Sequence, residues 1–504
     1  MVEVEIETRP HPAKQAGALI VGTTLATLSG ALLPIVLVRL MGKADIAELL
    51  ALVFIYDMVA LIATAGFAQV LMYHLPGRSA PERRAVTMQI GYIMAGLGTL
   101  GALVVAGIGL FGSQLPGAFS AHDATRISLE PLWILAPSLI FDLPSRVVPQ
   151  LLVVEGRAQH ASALGVVRTI LTTVTTLVPV ALGFDITTVV IWYSATRCAL
   201  GLSLPWALRL TFPGVARVPS PVSVKQLFHF ALPLGTTDVV ALLNQQVDRW
   251  LILLSFPATA FADYQAGAWQ IPVLGTIAYS VGDAYMPSLV EHFGRGEPRQ
   301  AIAIWRSTIP KVSLLVVPVT MGFVVGAREL MGLLFTDAYV SAAIIFQLYS
   351  VMTLGRVATF GSVIIAAGKP RFMLQAAVFS LVANVVLCVP LTWAVGFIGP
   401  ALGTSLAFIP MVLFYVWSIK RATGLGMREI FPSAQYFHVL GLSAVAGGVA
   451  YLLKVQLELP KGVGLTLSVL ATVALFAVLG TLSGAITRGD WRFARDWLRL
   501  KLAR

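Results

Sequence analysis

Fourteen long apolar runs follow one another through this sequence, and they constrain its fold more than any other feature. A membrane-spanning helix needs about 20 mainly apolar residues, and each run reaches that length. Only 12% of the 504 residues are charged, whereas a soluble chain carries about 25%. We therefore predict an all-α polytopic membrane protein of about fourteen transmembrane helices. The runs are 15–40, 46–73, 86–112, 129–153, 158–183, 187–208, 231–255, 261–290, 308–328, 340–367, 371–396, 397–419, 434–455 and 463–487.

Positive charges are distributed unequally between the two ends of these predicted helices. Of the 35 Lys and Arg residues, 24 fall in segments on the side of the N-terminus and 6 on the other side. Cytoplasmic segments of membrane proteins carry such an excess. We therefore expect both termini in the cytoplasm and no nucleic-acid partner, because the net charge of +11 is explained by the inner membrane surface.

An internal repeat predicts two lobes. Gly22-Thr23-Thr24 recurs as Gly235-Thr236-Thr237, and the segment from Gly77 to Ala85 resembles the one from Gly294 to Ala301. Six runs separate the copies, which indicates two six-helix lobes related by a pseudo-two-fold axis along the membrane normal, with a site between them. The predicted parts are a cytoplasmic N-terminus (1–14), an N-lobe (15–212), a cytoplasmic linker with an interfacial helix (213–230), a C-lobe (231–419), two further spans (420–487) and a basic amphipathic cytoplasmic tail (488–504).

Signatures of soluble enzymes are absent from the sequence. It contains no Walker A motif, no HExxH, no CxxC pair and no GxSxG, so we expect neither an enzyme nor a bound cofactor or metal. Cys198 and Cys388 both fall inside apolar runs and are predicted to be small core residues.

Ten charged residues lie in the interior of the apolar runs, away from their ends, and are the candidates for function. A charge at the centre of the bilayer costs at least about 2.5–3.5 kcal/mol, so such residues normally face a partner or a wet cavity. Five are arginines and five are aspartates. They are Arg146, Arg168, Arg197, Arg249, Arg356, Asp57, Asp142, Asp238, Asp248 and Asp283.

The sequence allows two interpretations of these charges. Asp142 and Arg146 are four residues apart and can pair locally, which favours structural salt bridges. Arg168, Arg197 and Arg356 have no acid within four positions and need an interhelical partner or a water-filled cavity. Because guanidinium is a planar fork that matches phosphate, convergence of these arginines with Arg146 would create a cationic cavity for a phosphate-bearing cargo.

The run at 231–255 carries an unusually polar stripe. Asp238, Gln245 and Arg249 share one helical face, and Asn244 and Asp248 share an adjacent one. We expect this stripe to line a cavity, with packing against another helix as the alternative.

Short motifs in this sequence resemble a known family. They are Val38-Arg39-Leu40-Met41-Gly42, Asp248-Arg249, Ala262-Asp263-Tyr264, Tyr285-Met286-Pro287 and Gly294-Arg295-Gly296-Glu297. Over about residues 15–420 the chain resembles polysaccharide flippases of the Wzx type, within the superfamily that includes MATE drug exporters and the lipid II flippase.

The resemblance implies a flippase of the bacterial inner membrane. It would move an undecaprenyl-diphosphate-linked oligosaccharide by alternating access, for synthesis of O-antigen, capsule or exopolysaccharide. The implied partners are this lipid-linked glycan, membrane lipids and other polysaccharide-assembly proteins. Under this hypothesis the five arginines bind substrate, and the five aspartates serve in gating or in coupling to protons or sodium ions.

Two other functions compete with this hypothesis. A cation-coupled exporter of drugs or small molecules from the same superfamily would have a cavity dominated by acids, and the run at 15–38 contains no carboxylate. A polytopic glycan polymerase or ligase would need a large outer loop, and every predicted outer connection is short.

Overall fold

The computed structural model of the chain describes residues 29–112, 127–369, 371–431, 434–457 and 459–490. Every regular element within these residues is a helix, as predicted. The predicted N-terminus (1–14), the start of the first span (15–28), the outer segment 113–126 and most of the tail (491–504) lie outside the described residues. The helices are α1 (Ser29–Leu40), α2 (Lys43–Thr64), α3 (Phe67–His74), α4 (Ala80–Phe111), α5 (Leu132–Leu135), α6 (Ser138–Ser145), α7 (Val148–Val154), α8 (Ala158–Ala181), α9 (Ile186–Gly201), α10 (Ser203–Thr211), α11 (Val224–Ser255), α12 (Ala258–Gly267), α13 (Pro272–Gly294), α14 (Pro298–Val325), α15 (Ala327–Leu334), α16 (Ala343–Gly355), α17 (Phe360–Ala366), α18 (Arg371–Val395), α19 (Gly399–Thr423), α20 (Met427–Ile430), α21 (Ala434–Leu457) and α22 (Lys461–Leu482).

By length and hydropathy, nine segments of the described residues are candidate membrane spans. One of them, Arg371–Thr423, has 53 residues and contains both α18 and α19. Its helices are joined at Gly396, where φ is +69°, and Gly403 packs against Cys388 across the turn. This segment is therefore a helical hairpin. The polytopic membrane class is confirmed, and the number of fourteen spans stays a prediction. The other candidate spans are Lys43–His74, Ala80–Phe111, Ala158–Ala181, Val224–Ser255, Pro298–Val325, Asp337–Ala366, Ala434–Leu457 and Lys461–Leu482.

Several predicted spans are series of shorter helices. The run 129–153 contains α5, α6 and α7, the run 187–208 contains α9 and α10, and the run 261–290 contains α12 and α13. In the first of these, α6 begins directly after Pro137 and α7 has Pro149 in its first turn. Proline lacks an N–H and its ring clashes with the preceding turn, so it favours the start of a helix, as at Pro137 and Pro149, although α6 continues through Pro144.

The chain forms two compact units. Unit 1 is Met1–Gln246 with Ile252–Ala262, and unit 2 is Val247–Leu251 with Asp263–Arg504. The first part of α11 therefore groups with unit 1, although the internal repeat predicts residues from 231 onward as part of the C-lobe. The division into symmetric lobes at 15–212 and 231–419 stays a prediction.

A close helix crossing explains why α11 belongs to unit 1. Gly66 lies in the break between α2 and α3 and has a φ of +79°, which favours glycine. A Cβ added to Gly235 of α11 would lie 2.7 Å from the carbonyl oxygen of Ala65. The two backbones meet here because neither crossing position carries a side chain, as is common between membrane helices.

The two C-terminal helices pack within unit 2 against α14. A Cβ on Gly322 would lie 2.7 Å from Val469 Cα, and one on Gly447 would lie 2.7 Å from Met321 Cγ. Both glycines thus allow α21 and α22 to approach α14 closely. This packing makes the terminal pair an integral part of unit 2.

Candidate functional site

One carboxylate lies at the centre of a buried ionic cluster in unit 1. Asp142 belongs to α6, and its side chain is 0% exposed. Arg146 follows one turn later at the end of α6, where its Nε donates to Asp142 Oδ2 at 2.9 Å. The predicted local pair of Asp142 and Arg146 is therefore confirmed.

Two further arginines reach the same carboxylate from other helices. Arg168 of α8 donates to Asp142 Oδ1 and, at 3.0 Å, to Ser145 Oγ. Arg197 of α9 places its Nη1 3.7 Å from Asp142 Oδ2. Both arginines needed an interhelical partner or a cavity, and the structure supplies the same interhelical partner for both.

The second carboxylate of the cluster is the accessible one. Asp57 of α2 places its Oδ1 3.2 Å from Arg146 Nη2 and 3.7 Å from Arg197 Nη2. Its side chain is 37% exposed, whereas that of Asp142 is fully buried. Asp57 can therefore exchange its partners for an incoming group more easily than Asp142 can. We call Asp57, Asp142, Arg146, Arg168 and Arg197 the arginine cluster.

Two tyrosines hold the guanidinium of Arg197. Its Cζ lies 4.7 Å from the ring centroid of Tyr193 and 5.7 Å from that of Tyr56, within the range of cation–π attraction. Arg197 also donates to the Tyr193 hydroxyl. Ser138 Oγ donates to the Tyr56 hydroxyl at 3.0 Å. These contacts restrict the guanidinium to one orientation.

The arginine cluster has surplus positive charge. Three guanidinium groups face two carboxylates, which gives a formal charge of +1. Each guanidinium offers five N–H donors and stays protonated. Among the described residues, Arg197 Nε is buried and has no hydrogen-bond partner. The cluster can therefore accept an additional anion without any change in its own protonation.

A fourth predicted arginine, Arg356, does not belong to the arginine cluster. Arg356 belongs to unit 2, at the end of α16, and its Nη1 donates to Gln270 Oε1 at 3.2 Å. Arg146, Arg168 and Arg197 thus converge in unit 1, and the convergence of all four predicted arginines stays a prediction.

Unit 2 contains a different polar site, centred on a buried acid. Asp248 is 1% exposed, and its Oδ2 accepts a hydrogen bond of 2.8 Å from the Tyr264 hydroxyl. That hydroxyl lies 3.3 Å from the hydroxyl of Tyr349. Asp248 Oδ1 is buried and has no hydrogen-bond partner among the described residues. A proton or a cation at this oxygen would satisfy it, because a lone buried carboxylate oxygen is costly.

The α18–α19 hairpin of unit 2 carries a second set of hydrogen-bonded polar groups. Cys388 Sγ donates to Asn384 Oδ1 at 2.8 Å, and Thr404 Oγ1 donates to the same oxygen at 3.1 Å. Cys388 and Asp248 are close enough to interact electrostatically. Both cysteines are free thiols, and Cys388 is buried as predicted while Cys198 is partly exposed. Among the described residues, no three His, Cys, Asp or Glu side chains are grouped to hold a metal ion.

The remaining predicted acids and Arg249 have separate positions. Asp238 lies in unit 1 and accepts hydrogen bonds from Gly66 N at 3.2 Å and Gln69 Nε2 at 3.4 Å. It therefore fastens the break between α2 and α3. Arg249 follows Asp248 in the short segment of α11 that belongs to unit 2. Asp283 lies on α13, and its side chain falls outside the described part of the structure.

The sequence did not predict a role for the tyrosines of either site, although Tyr264 lies in one of the motifs named above. Tyr56, Tyr193, Tyr264 and Tyr349 are each less than 10% exposed. Tyr56 precedes Asp57, and Tyr193 lies four residues before Arg197. A buried tyrosine hydroxyl usually finds a hydrogen-bond partner, so a tyrosine beside an intramembrane charge was the available signal.

Comparison with known proteins places the chain in a family of transporters. A family model described as "Lipid II flippase MurJ" matches residues 204–474. A curated relative, "Probable low-salt glycan biosynthesis flippase Agl15" of Haloferax volcanii, is 21% identical over 310 residues, which cover 61% of this chain and 63% of the relative. The alignment thus spans less than two thirds of that relative's length.

Two solved structures show the same fold. A lipid II flippase MurJ in an inward closed conformation has a TM-score of 0.68 at 14% identity, covering 92% of this chain and 99% of its own. An inward-facing multidrug resistance MATE transporter of the MOP superfamily has a TM-score of 0.62 at 17% identity, covering 80% and 96%. At these identities the likeness concerns the fold alone.

The family match refines the resemblance stated above. The match to the lipid II flippase model confirms the superfamily, and the family that this model describes consists of transporters, not enzymes. Its assignment to the Wzx type stays a prediction, because the matching model is that of another branch. Since that model covers more than half of the sequence, the chain belongs to the lipid II flippase MurJ family.

Proposed function

We propose that this chain is a flippase that moves an undecaprenyl-diphosphate-linked oligosaccharide from the inner to the outer leaflet of the bacterial inner membrane. The observation that carries the proposal is the arginine cluster, with three guanidinium groups converging on one buried carboxylate. The family and the glycan flippase relative support a lipid-linked glycan as cargo. O-antigen, capsule and exopolysaccharide precursors belong to this substrate class.

The two acids of the arginine cluster have different roles in this proposal. Asp142 keeps Arg146, Arg168 and Arg197 oriented, because it contacts all three. Asp57 occupies the accessible side of Arg146 and Arg197 when no cargo is present. An incoming diphosphate displaces Asp57 from these guanidinium groups, and Asp57 recaptures them on release. The exchange lets the cluster bind the anion without holding it permanently.

Energy coupling is assigned to the buried acid of unit 2. Asp248 has one oxygen bonded to Tyr264 and one buried oxygen without a hydrogen-bond partner among the described residues. Uptake of a proton or a sodium ion from one side, and its release to the other, would change the charge of this site during alternating access. Asp238 and Asp283 are the further candidates for coupling. Both termini are proposed to lie in the cytoplasm.

Complementation tests the function directly. The full chain is expressed in bacterial strains depleted of their own lipid II flippase or their own O-antigen flippase, and the lipid-linked glycan exposed at each leaflet is measured. Restored export of the O-antigen precursor supports the proposed cargo. Restored export of lipid II alone would show that lipid II, and not a linked oligosaccharide, is the cargo. Failure in both strains together with raised drug tolerance would favour the multidrug exporter instead.

Variants link that activity to the arginine cluster. Arg168→Glu and Arg197→Glu are expected to lower glycan export by about 30-fold or more, because they remove a buried charge partner of the anion. The matched control is Arg295→Glu, a residue with 60% side-chain exposure whose ion pair lies at the surface. Export at the wild-type level in both cluster variants, at equal amounts of inserted protein, would refute the role of the cluster.

A further inference from the structure

A surface cavity of unit 1 lies between the first turns of α4 and the linker that follows α10. It has a volume of about 330 Å³. Arg84, Met88 and Tyr92 line it from α4, and Arg217 and Ser220 line it from the linker. The cavity is separate from the residues of the arginine cluster.

The residues of α4 form a polarity gradient along one helical face. Arg84, Met88 and Tyr92 are spaced four apart, so they lie above one another on the same side of the helix. At 1.5 Å per residue, Arg84 and Tyr92 are separated by about 12 Å along the axis. The cavity therefore begins at a cation, continues along an apolar side chain and ends at an amphipathic ring that is 70% exposed. An amphiphile with an anionic head and a hydrocarbon chain has the matching gradient.

Charge at the Arg84 end of the cavity favours an anion. Arg84 donates to the carbonyl oxygen of Val215, which fixes the linker against α4 and places Arg217 at the same cavity. Two acids near this end of the cavity already interact with other groups. Glu82 accepts from Ser79 N at 3.0 Å to cap α4, and Glu155 pairs with Arg83 at 2.8 Å. The two guanidinium groups of the cavity are thus not neutralised by these acids.

We propose that this cavity binds one anionic glycerophospholipid of the phosphatidylglycerol class. Its phosphodiester lies between Arg84 and Arg217, and an acyl chain runs along Met88 towards Tyr92. Basic pockets beside membrane helices recognise lipid headgroups in this way, and guanidinium pairs with phosphate oxygens through two parallel N–H donors. The bound lipid fastens the linker to α4, so the composition of the leaflet influences how firmly the linker is held.

Lipid retention by the purified full chain tests this site without a transport assay. Native mass spectrometry is carried out in detergent with added phosphatidylglycerol, phosphatidylcholine or inorganic phosphate. We expect retention of phosphatidylglycerol over phosphatidylcholine, and no displacement by equimolar inorganic phosphate. Arg217→Gln, at an exposed position, should weaken phosphatidylglycerol binding about five-fold, and the double variant with Arg84→Gln should weaken it further.

Arg209→Gln is the matched control, because Arg209 is an exposed residue of α10 in unit 1 that carries the same charge and does not line the cavity. Wild-type retention in this control supports a defined site. An equal loss in the control would reduce the effect to general charge attraction and overturn the proposal. Unchanged binding in Arg217→Gln, or displacement by inorganic phosphate, would overturn it as well.

Discussion

Asp142 of α6 and Arg168 of α8 form an ion pair in the interior of unit 1, although 26 positions separate them in the sequence. The pair is one of three that share the same carboxylate. Removing that carboxylate therefore has a different consequence from removing any one arginine, because three cations lose their common counter-ion together.

Asp142→Asn is expected to destabilise the protein by about 3–5 kcal/mol, the cost of leaving buried charge uncompensated. Thermal unfolding in detergent, followed with the yield of inserted protein, measures the loss. Glu291→Gln is the control, since that acid is 57% exposed in its pair with Arg295 and exposed pairs contribute about 0–1 kcal/mol. A melting temperature for Asp142→Asn equal to that of the control would contradict the central role of Asp142.

Asp57→Asn should increase anion binding instead. The substitution raises the formal charge of the arginine cluster from +1 to +2 and frees Arg146 and Arg197 on their accessible side. Affinity for a short-chain prenyl diphosphate, measured by calorimetry at low salt, is expected to rise by up to about five-fold. Glycan export is expected to fall, because release needs Asp57 to compete with the cargo. Weaker binding in this variant would show that Asp57 assists the anion and does not exclude it.

Tyr264→Phe should destabilise unit 2 by about 1–3 kcal/mol, because Asp248 Oδ2 loses its 2.8 Å hydrogen bond while it remains buried. Tyr349→Phe is the closest comparison. Its hydroxyl lies 3.3 Å from the Tyr264 hydroxyl, so Tyr349→Phe leaves the Tyr264 donor to the carboxylate in place. Melting temperatures of the two variants measure the difference, and a larger loss in Tyr349→Phe would contradict this account of the site.

Gly235→Ala should separate α11 from the junction of α2 and α3. The new methyl group would lie 2.7 Å from the carbonyl oxygen of Ala65, and overpacking of this kind costs about 1–3 kcal/mol. Gly96→Ala of α4 has nothing within 4 Å of its added methyl group and should be neutral or slightly stabilising. Thermal unfolding of both variants tests the crossing, and equal melting temperatures would refute it.

The apolar runs predicted the helical class, because a backbone that crosses the bilayer must satisfy its hydrogen bonds internally, as a helix does. The same runs could not show where one helix ends and the next begins within a run. The run 46–73 contains a break at Gly66 and the run 129–153 contains several at prolines, since hydropathy averages over the residues that interrupt a helix. Those residues, Gly66 and Pro137 among them, were visible in the sequence and carried the missing information.

The charged residues of the site were predictable, but their partners were not. Arg168 and Arg197 needed an interhelical acid, and five aspartates were available to each of them. Only the packing of α6, α8 and α9 selects Asp142 for both. Asp238 accepts hydrogen bonds from Gly66 and Gln69, and these contacts depend on a helix crossing that no local pattern predicts.

The arginine cluster also has a consequence for biogenesis. Each of its charged residues disfavours partitioning of an isolated helix from the translocon into lipid by about 2.5–3.5 kcal/mol. Arg168 and Arg197 lie on helices synthesised after Asp142. Asp142 is therefore synthesised before the two arginines that pair with it. We expect α6, α8 and α9 to leave the translocon as a group, because the charges on these helices then neutralise one another.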